Sequence, residues 1–148
     1  MQTTDTMGSP GKDATPTPEL FRALVEQGPD AVIYADRQRM IRVWNRAAET
    51  LFGFAAAQVL GQSLDVIIPE RFRKAHWDGF DKALETGRTK YEGRSLRTRS
   101  AHKDGSRLYV DLSFGLITDP AGAVIGAVAT GRMSAERPGS GGTGSGTR

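Results

Sequence analysis

Apolar and polar positions change period twice along the chain. In "PELFRALVEQG", Leu20, Ala23 and Leu24 form an apolar stripe at helical spacing. Thr17 is placed to cap this helix, Pro18 suits its first turn, and Gly28 stops it, which predicts a helix over 18–27. "AVIYAD" is a short apolar run suited to a buried strand. "MIRVW" follows a polar turn at 36–39 and reads as its hairpin partner. "NRAAETLFGF" predicts a short helix capped by Asn45 and ended by Gly53, and "AAAQVLG" and "SLDVII" predict helical turns. Pro69 opens a long helix over 69–85, which Gly87 closes.

Beyond Gly87 the period becomes that of strands. Leu108, Val110, Leu112, Phe114 and Leu116 alternate with Arg107, Tyr109, Asp111 and Ser113, so one face of this strand belongs to a core. "KDGS" and "DPAG" are turns, and the three strands they separate complete the pattern. Two strands, a helical middle and three strands predict an α+β fold: a five-stranded antiparallel sheet with helices packed on one face.

Composition narrows the chemistry. The 148 residues are 38% hydrophobic and 25% charged, enough for one domain. Residues 1–16 and 137–148 are polar, the latter a Gly/Ser-rich tail, and both are expected to be disordered, which leaves 17–136 as the domain. A net charge of +3 with interspersed signs gives little support for nucleic-acid or membrane binding. No apolar run approaches ~18 residues and the N-terminus lacks a signal core, so a cytoplasmic location is expected. The absence of cysteine removes disulfides, thiolate metal sites and cysteinyl-flavin photochemistry. No phosphate loop, nucleophile elbow or catalytic triad is present, and the chain is expected not to be an enzyme.

The candidate chemistry centres on His76. Phe72, His76, Phe80 and Ala83 share the apolar face of the long helix, so His76 points toward the sheet, flanked by Trp77 and Leu84. Two roles are open to an imidazole there: a core residue hydrogen-bonded to a carbonyl or a buried water, or a metal ligand. Asp36 and Asp65 look isolated, and His102, beside the Asp104-Gly105 turn, is expected to be exposed. Asn45, Arg46 and Glu49 read as a helix cap with solvent-facing charges. "GRTKYEGRSLRTR" carries five cations in thirteen residues and reads as a solvated face.

The order of "WNRAAETLFGF", "VLGQS", "IIPERFR" and "KDGSRLYVDLS" resembles a PAS domain over about 20–136. Arg39 departs from the glycine usual in the first hairpin turn, and "GRMSAER" departs from the usual Asp-Ile-Thr ending. Within PAS domains, 69–105 is similar to the heme-binding oxygen sensors of the rhizobial FixL type. That resemblance implies heme b with His76 as its proximal iron ligand, and a diatomic gas (O2, CO or NO) or redox state as the signal. It places Lys82 and Lys90 near the heme propionates, and Phe72, Phe80, Tyr91, Leu112 and Phe114 around the cofactor. The family's distal arginine corresponds to Leu96, which donates no hydrogen bond, and Arg94 is the nearby cation that would replace it. Two other readings stand beside this one: a cofactor-free interaction module, and a PAS domain holding flavin or an organic acid. PAS domains also suggest a homodimer through the N-terminal helix or the sheet face, and a downstream effector.

Overall fold

The computed structural model describes residues 14–89 and 93–135. The expected disordered ends, where they fall on 1–13 and 136–148, and the candidate residues Lys90 and Tyr91 lie outside the described residues. The elements are α1 (Pro18–Gln27), β1 (Ala31–Asp36), β2 (Ile41–Trp44), α2 (Arg46–Phe52), α3 (Ala56–Val59), a 3-10 turn (Leu64–Ile67), α4 (Glu70–Thr86), β3 (Ser95–Ala101), β4 (Arg107–Thr118) and β5 (Val124–Met133).

The five strands form one antiparallel sheet in the order β2-β1-β5-β4-β3. The β1–β2 hairpin turns through Arg39, whose φ of 71° is left-handed. This is the turn where PAS domains usually carry glycine, and the backbone takes the glycine conformation with arginine in place. Asp36 steadies the turn by accepting hydrogen bonds from Gln38 N and Met40 N and an ion pair from Arg42. Its expected isolation along the sequence is therefore corrected by the fold. Burial pushes the Asp36 carboxyl up, but the hydrogen bonds and the Arg42 charge outweigh it and hold the group below the usual carboxylate range.

Helices pack on one face of the sheet. The core joins Ala31 and Ile33 of β1, Ile41 and Trp44 of β2, Ala48 and Phe52 of α2, Val59, Ile67, and Leu108, Val110 and Leu112 of β4. The alternation read in β4 is observed, because Leu108, Val110 and Leu112 are buried and Ser113 is exposed.

Asn45 joins three segments. It is fully buried, and its Oδ1 accepts from Ala48 N at 3.0 Å and from Val32 N at 2.8 Å. Its Nδ2 donates to Val25 O at 2.8 Å and to Asp30 O at 2.9 Å. The cap expected at α2 is thus also the tie between α1, β1 and α2. Glu49, expected to face solvent, instead accepts from Ala56 N, at the start of α3, at 2.7 Å and is half-buried.

Candidate ligand site at His76

α4 crosses the inner face of the sheet with a mostly polar surface. Trp77 is its one fully buried side chain. The helix is held at three places. Trp77 Nε1 donates to Asp65 Oδ1 at 2.7 Å, Arg73 Nε donates to Ile68 O at 2.9 Å, and Arg39 pairs with Asp81 at 2.8 Å. The Arg39 guanidinium also lies 4.8 Å from the Trp77 ring centroid. Asp65, like Asp36, appeared isolated in sequence and is not, since its partner stands twelve residues away on α4.

Between α4 and the sheet is a cavity of about 50 Å³. His76 and Phe80 line it from α4, and Leu64 from the 3-10 turn. Ile33, Ala35, Phe114, Ala127, Val128 and Ala129 line it from β1, β4 and β5. His76 therefore points toward the sheet, as its helical spacing implies. Its Nδ1 is sealed from solvent and has no hydrogen-bond partner among the described residues. Phe80 lies roughly parallel to the imidazole at 6.5 Å, and Trp77 stands edge-on at 4.4 Å. Burial pushes the imidazole below its ordinary pKa; Asp65 opposes this and Arg39 adds to it. The ring is consequently neutral near pH 7, the form in which a nitrogen can bind a metal.

The remaining candidate residues divide clearly. Phe80 and Phe114 line the cavity. Leu112 is buried in the core, and Leu96 is half-buried opposite it in the β3–β4 ladder. Phe72 sits in the first turn of α4, beneath the guanidinium groups of Arg71 and Arg99, and does not line the cavity. Lys82 is exposed on α4, and Arg94 is exposed just before β3 begins. Ile33, Ala35, Ala127 and Ala129 were missed as site residues. The signal was present, because alternate small residues in "AVIYAD" and "GAVAT" leave room on the inner sheet face.

His102 was expected to be exposed, and this is corrected: it is half-buried against Gly53. A side chain at position 53 would come within 2.5 Å of the imidazole, so the left-handed cap of α2 requires glycine twice over. Lys103 N donates to Phe52 O at 2.9 Å, which brings the β3–β4 turn onto the end of α2 and carries His102 with it.

The donor set at the cavity fits heme in kind. Among the described residues no three His, Asp or Glu side chains are grouped to hold a metal ion by themselves. A porphyrin brings its own nitrogen ligands and would ask only one axial donor of the protein. The space does not fit. A cavity of ~150 Å³ holds a benzene-sized molecule, and heme is several times larger. With α4 in place the cavity admits only a molecule of a few atoms.

Comparisons with known proteins agree on the fold. The chain is 29% identical to the oxygen sensor protein DosP of Escherichia coli over 90 residues, 61% of this chain and 11% of that protein. It is 28% identical to the sensor protein FixL of Bradyrhizobium diazoefficiens over 95 residues, 64% of this chain and 19% of that protein. The chain thus spans a fifth or less of these relatives. Its structure is similar to the PAS domain of a Colwellia psychrerythraea protein, with TM-score 0.69 and 22% identity over 80% of this chain and 98% of that one. It is also similar to an RNA-binding light-oxygen-voltage receptor, with TM-score 0.64 and 20% identity over 84% of this chain and 35% of that one. Among the described residues no helix is long and apolar enough to cross a membrane. The profile described as PAS fold matches residues 19–133, the whole span from α1 to β5, and the chain belongs to the PAS family.

Proposed function

We propose that this PAS domain is the sensory module of a larger signalling protein, that its input is read at His76, and that heme b is the cofactor bound there. The observation that carries this reading is the buried Nδ1 of His76, a nitrogen beside an apolar cavity with no partner among the described residues. The resemblance of residues 69–105 to the FixL-type sensors supports it, as does the match to a relative named as an oxygen sensor. His76 would hold the iron through a ring nitrogen, Phe80 and Phe114 would pack on the cofactor, and Lys82, with Lys90, would pair with its carboxylates. Bound heme would supply an iron centre for a diatomic gas or for a redox change. Leu96 offers such a gas no hydrogen bond, which favours CO and NO over O2. Occupation requires α4 to stand farther from the sheet than it does here. The role is sensory rather than enzymatic. A homodimer through α1, coupled to a cytoplasmic effector, completes the proposal.

The test is an absorption spectrum of the purified protein, oxidised, reduced and with CO, before and after heme titration. A sharp band near the violet edge is expected, lost or shifted in His76→Ala and restored in that variant by imidazole. Protein that stays colourless after titration rejects heme.

The cavity volume favours a second reading, in which a molecule of a few atoms, or none, occupies the site and α4 keeps its present place. Yellow, green-fluorescent protein would instead point to flavin.

A further inference from the structure

We propose that the outer edge of β3, with Arg71, Arg97 and Arg99, is a docking site for an extended acidic segment of a partner protein. This is independent of what His76 holds.

The two edges of the sheet are treated differently. At the β2 edge, Ile41 N donates to Gln62 O at 2.9 Å, Gly61 N donates to Ile41 O at 2.8 Å, and Met40 bridges to Ser63. The β2 edge is thereby covered at its start. At the other side, β3 pairs with β4 along its whole length, Ser95 to Ala101. Among the described residues its outer edge makes no backbone hydrogen bond. An open edge of this kind is a template for one more strand.

Charge selects the occupant. The guanidinium of Arg97 lies 4.7 Å from the Tyr109 ring centroid, and those of Arg71 and Arg99 lie 4.9 and 5.6 Å from that of Phe72. None of the three is within ion-pair distance of a carboxylate among the described residues. Asp111, directly across from Arg97 in the ladder, is engaged by Ser134 Oγ at 2.7 Å. Arg99 is half-buried, and its Nε has no acceptor among the described residues.

Other occupants fit less well. A second copy pairing edge to edge would set the arginines of one β3 against those of the other, which is repulsive. Residues 137–148 contain no Asp or Glu. A separate segment with carboxylates at alternate positions would extend the sheet through its main chain. Its acidic side chains would meet Arg97 over Tyr109 on the outer face and Arg99 where it turns toward Phe72.

The test uses the full chain and a short fluorescein-labelled peptide alternating Glu and Val, with its Lys–Val counterpart as control. Fluorescence anisotropy reads binding, and amide exchange reads where it occurs. The Glu–Val peptide is expected to bind, more tightly at low salt, and to slow exchange in β3. Arg97→Gln with Arg99→Gln is expected to weaken it about tenfold. Arg97→Glu with Arg99→Glu is expected to shift preference to the Lys–Val peptide; if that variant does not fold, the Gln pair decides. No binding of Glu–Val at about 1 mM, equal binding of both peptides, or binding that leaves β3 exchange unchanged would overturn the proposal.

Discussion

The indole Nε1 of Trp77 donates to Asp65 Oδ1 at 2.7 Å, which ties the middle of α4 to the short helical turn before it. Trp77 is the neighbour of His76, so this bond fixes the height of the imidazole above the sheet. Trp77→Phe keeps an aromatic ring in the buried site but removes the donor. It is expected to cost about 1–2 kcal/mol in urea denaturation and to speed amide exchange along α4. Asp65→Asn retains an acceptor and should lose less. Equal stability of wild type and Trp77→Phe would show that the bond does not hold the helix.

Arg39 acts on the same face of this helix, through Asp81 and the Trp77 ring. It does so from a left-handed backbone that disfavours any side chain. The two effects separate by substitution. Arg39→Ala loses both contacts and keeps the strain, whereas Arg39→Gly loses the contacts and relieves it. The glycine variant should be more stable than the alanine variant by about 1 kcal/mol. The ion pair is exposed and contributes less than ~1 kcal/mol, so wild type and Arg39→Gly should lie close together in thermal melts.

Asn45 is the most heavily committed polar side chain described. Asn45→Ala strands two amide donors and two carbonyl acceptors that it now satisfies. A loss of about 3 kcal/mol is expected in equilibrium unfolding. Asn45→Asp keeps the two accepted bonds but sets a carboxylate against the carbonyls of Val25 and Asp30, so it should also be destabilising.

The dimer proposal makes α1 testable. None of its residues is buried, and Phe21 and Leu24 are 56% and 60% exposed. Leu24→Glu puts a charge in the middle of that apolar face. Light scattering should then give half the mass of the wild type, as should a chain starting at Asp30. An unchanged mass in both would remove α1 from the contact.

Much of this architecture is legible in local signals. Thr17, Asn45, Gly53 and Gly87 end their helices where cap chemistry places them. The direction of His76 follows from spacing of four along α4. Periodicity fixes a face, however, and not a position along the axis. Phe72 shares the face of His76 but sits one turn earlier, before the helix reaches the cavity, and meets Arg99. Pairings across the fold are not written in spacing at all. Asp65 with Trp77, and His102 against Gly53, arise from where the turns land once the sheet has formed. The volume of the site is equally hidden, because it depends on how closely α4 approaches the sheet.

The titration of His76 should be visible in stability. Burial favours its neutral form in the folded state, so the folded pKa lies below the ordinary 6.5. Near and below that value the unfolded chain binds a proton that the folded chain refuses. Stability therefore rises with pH in this range. The His76 contribution is complete above the unfolded value and is lost progressively as pH falls from about 6.5 toward the folded pKa. Asp65 opposes this loss and Arg39 adds to it, so Arg39→Gly should reduce the slope. His76→Leu keeps an apolar side chain facing the cavity and has no proton to bind. Chemical denaturation from pH 7.5 down to about 5 should show a decline in wild type that is shallower in His76→Leu. Parallel curves would mean that the imidazole is protonated equally in the folded and unfolded states, contrary to its sealed Nδ1.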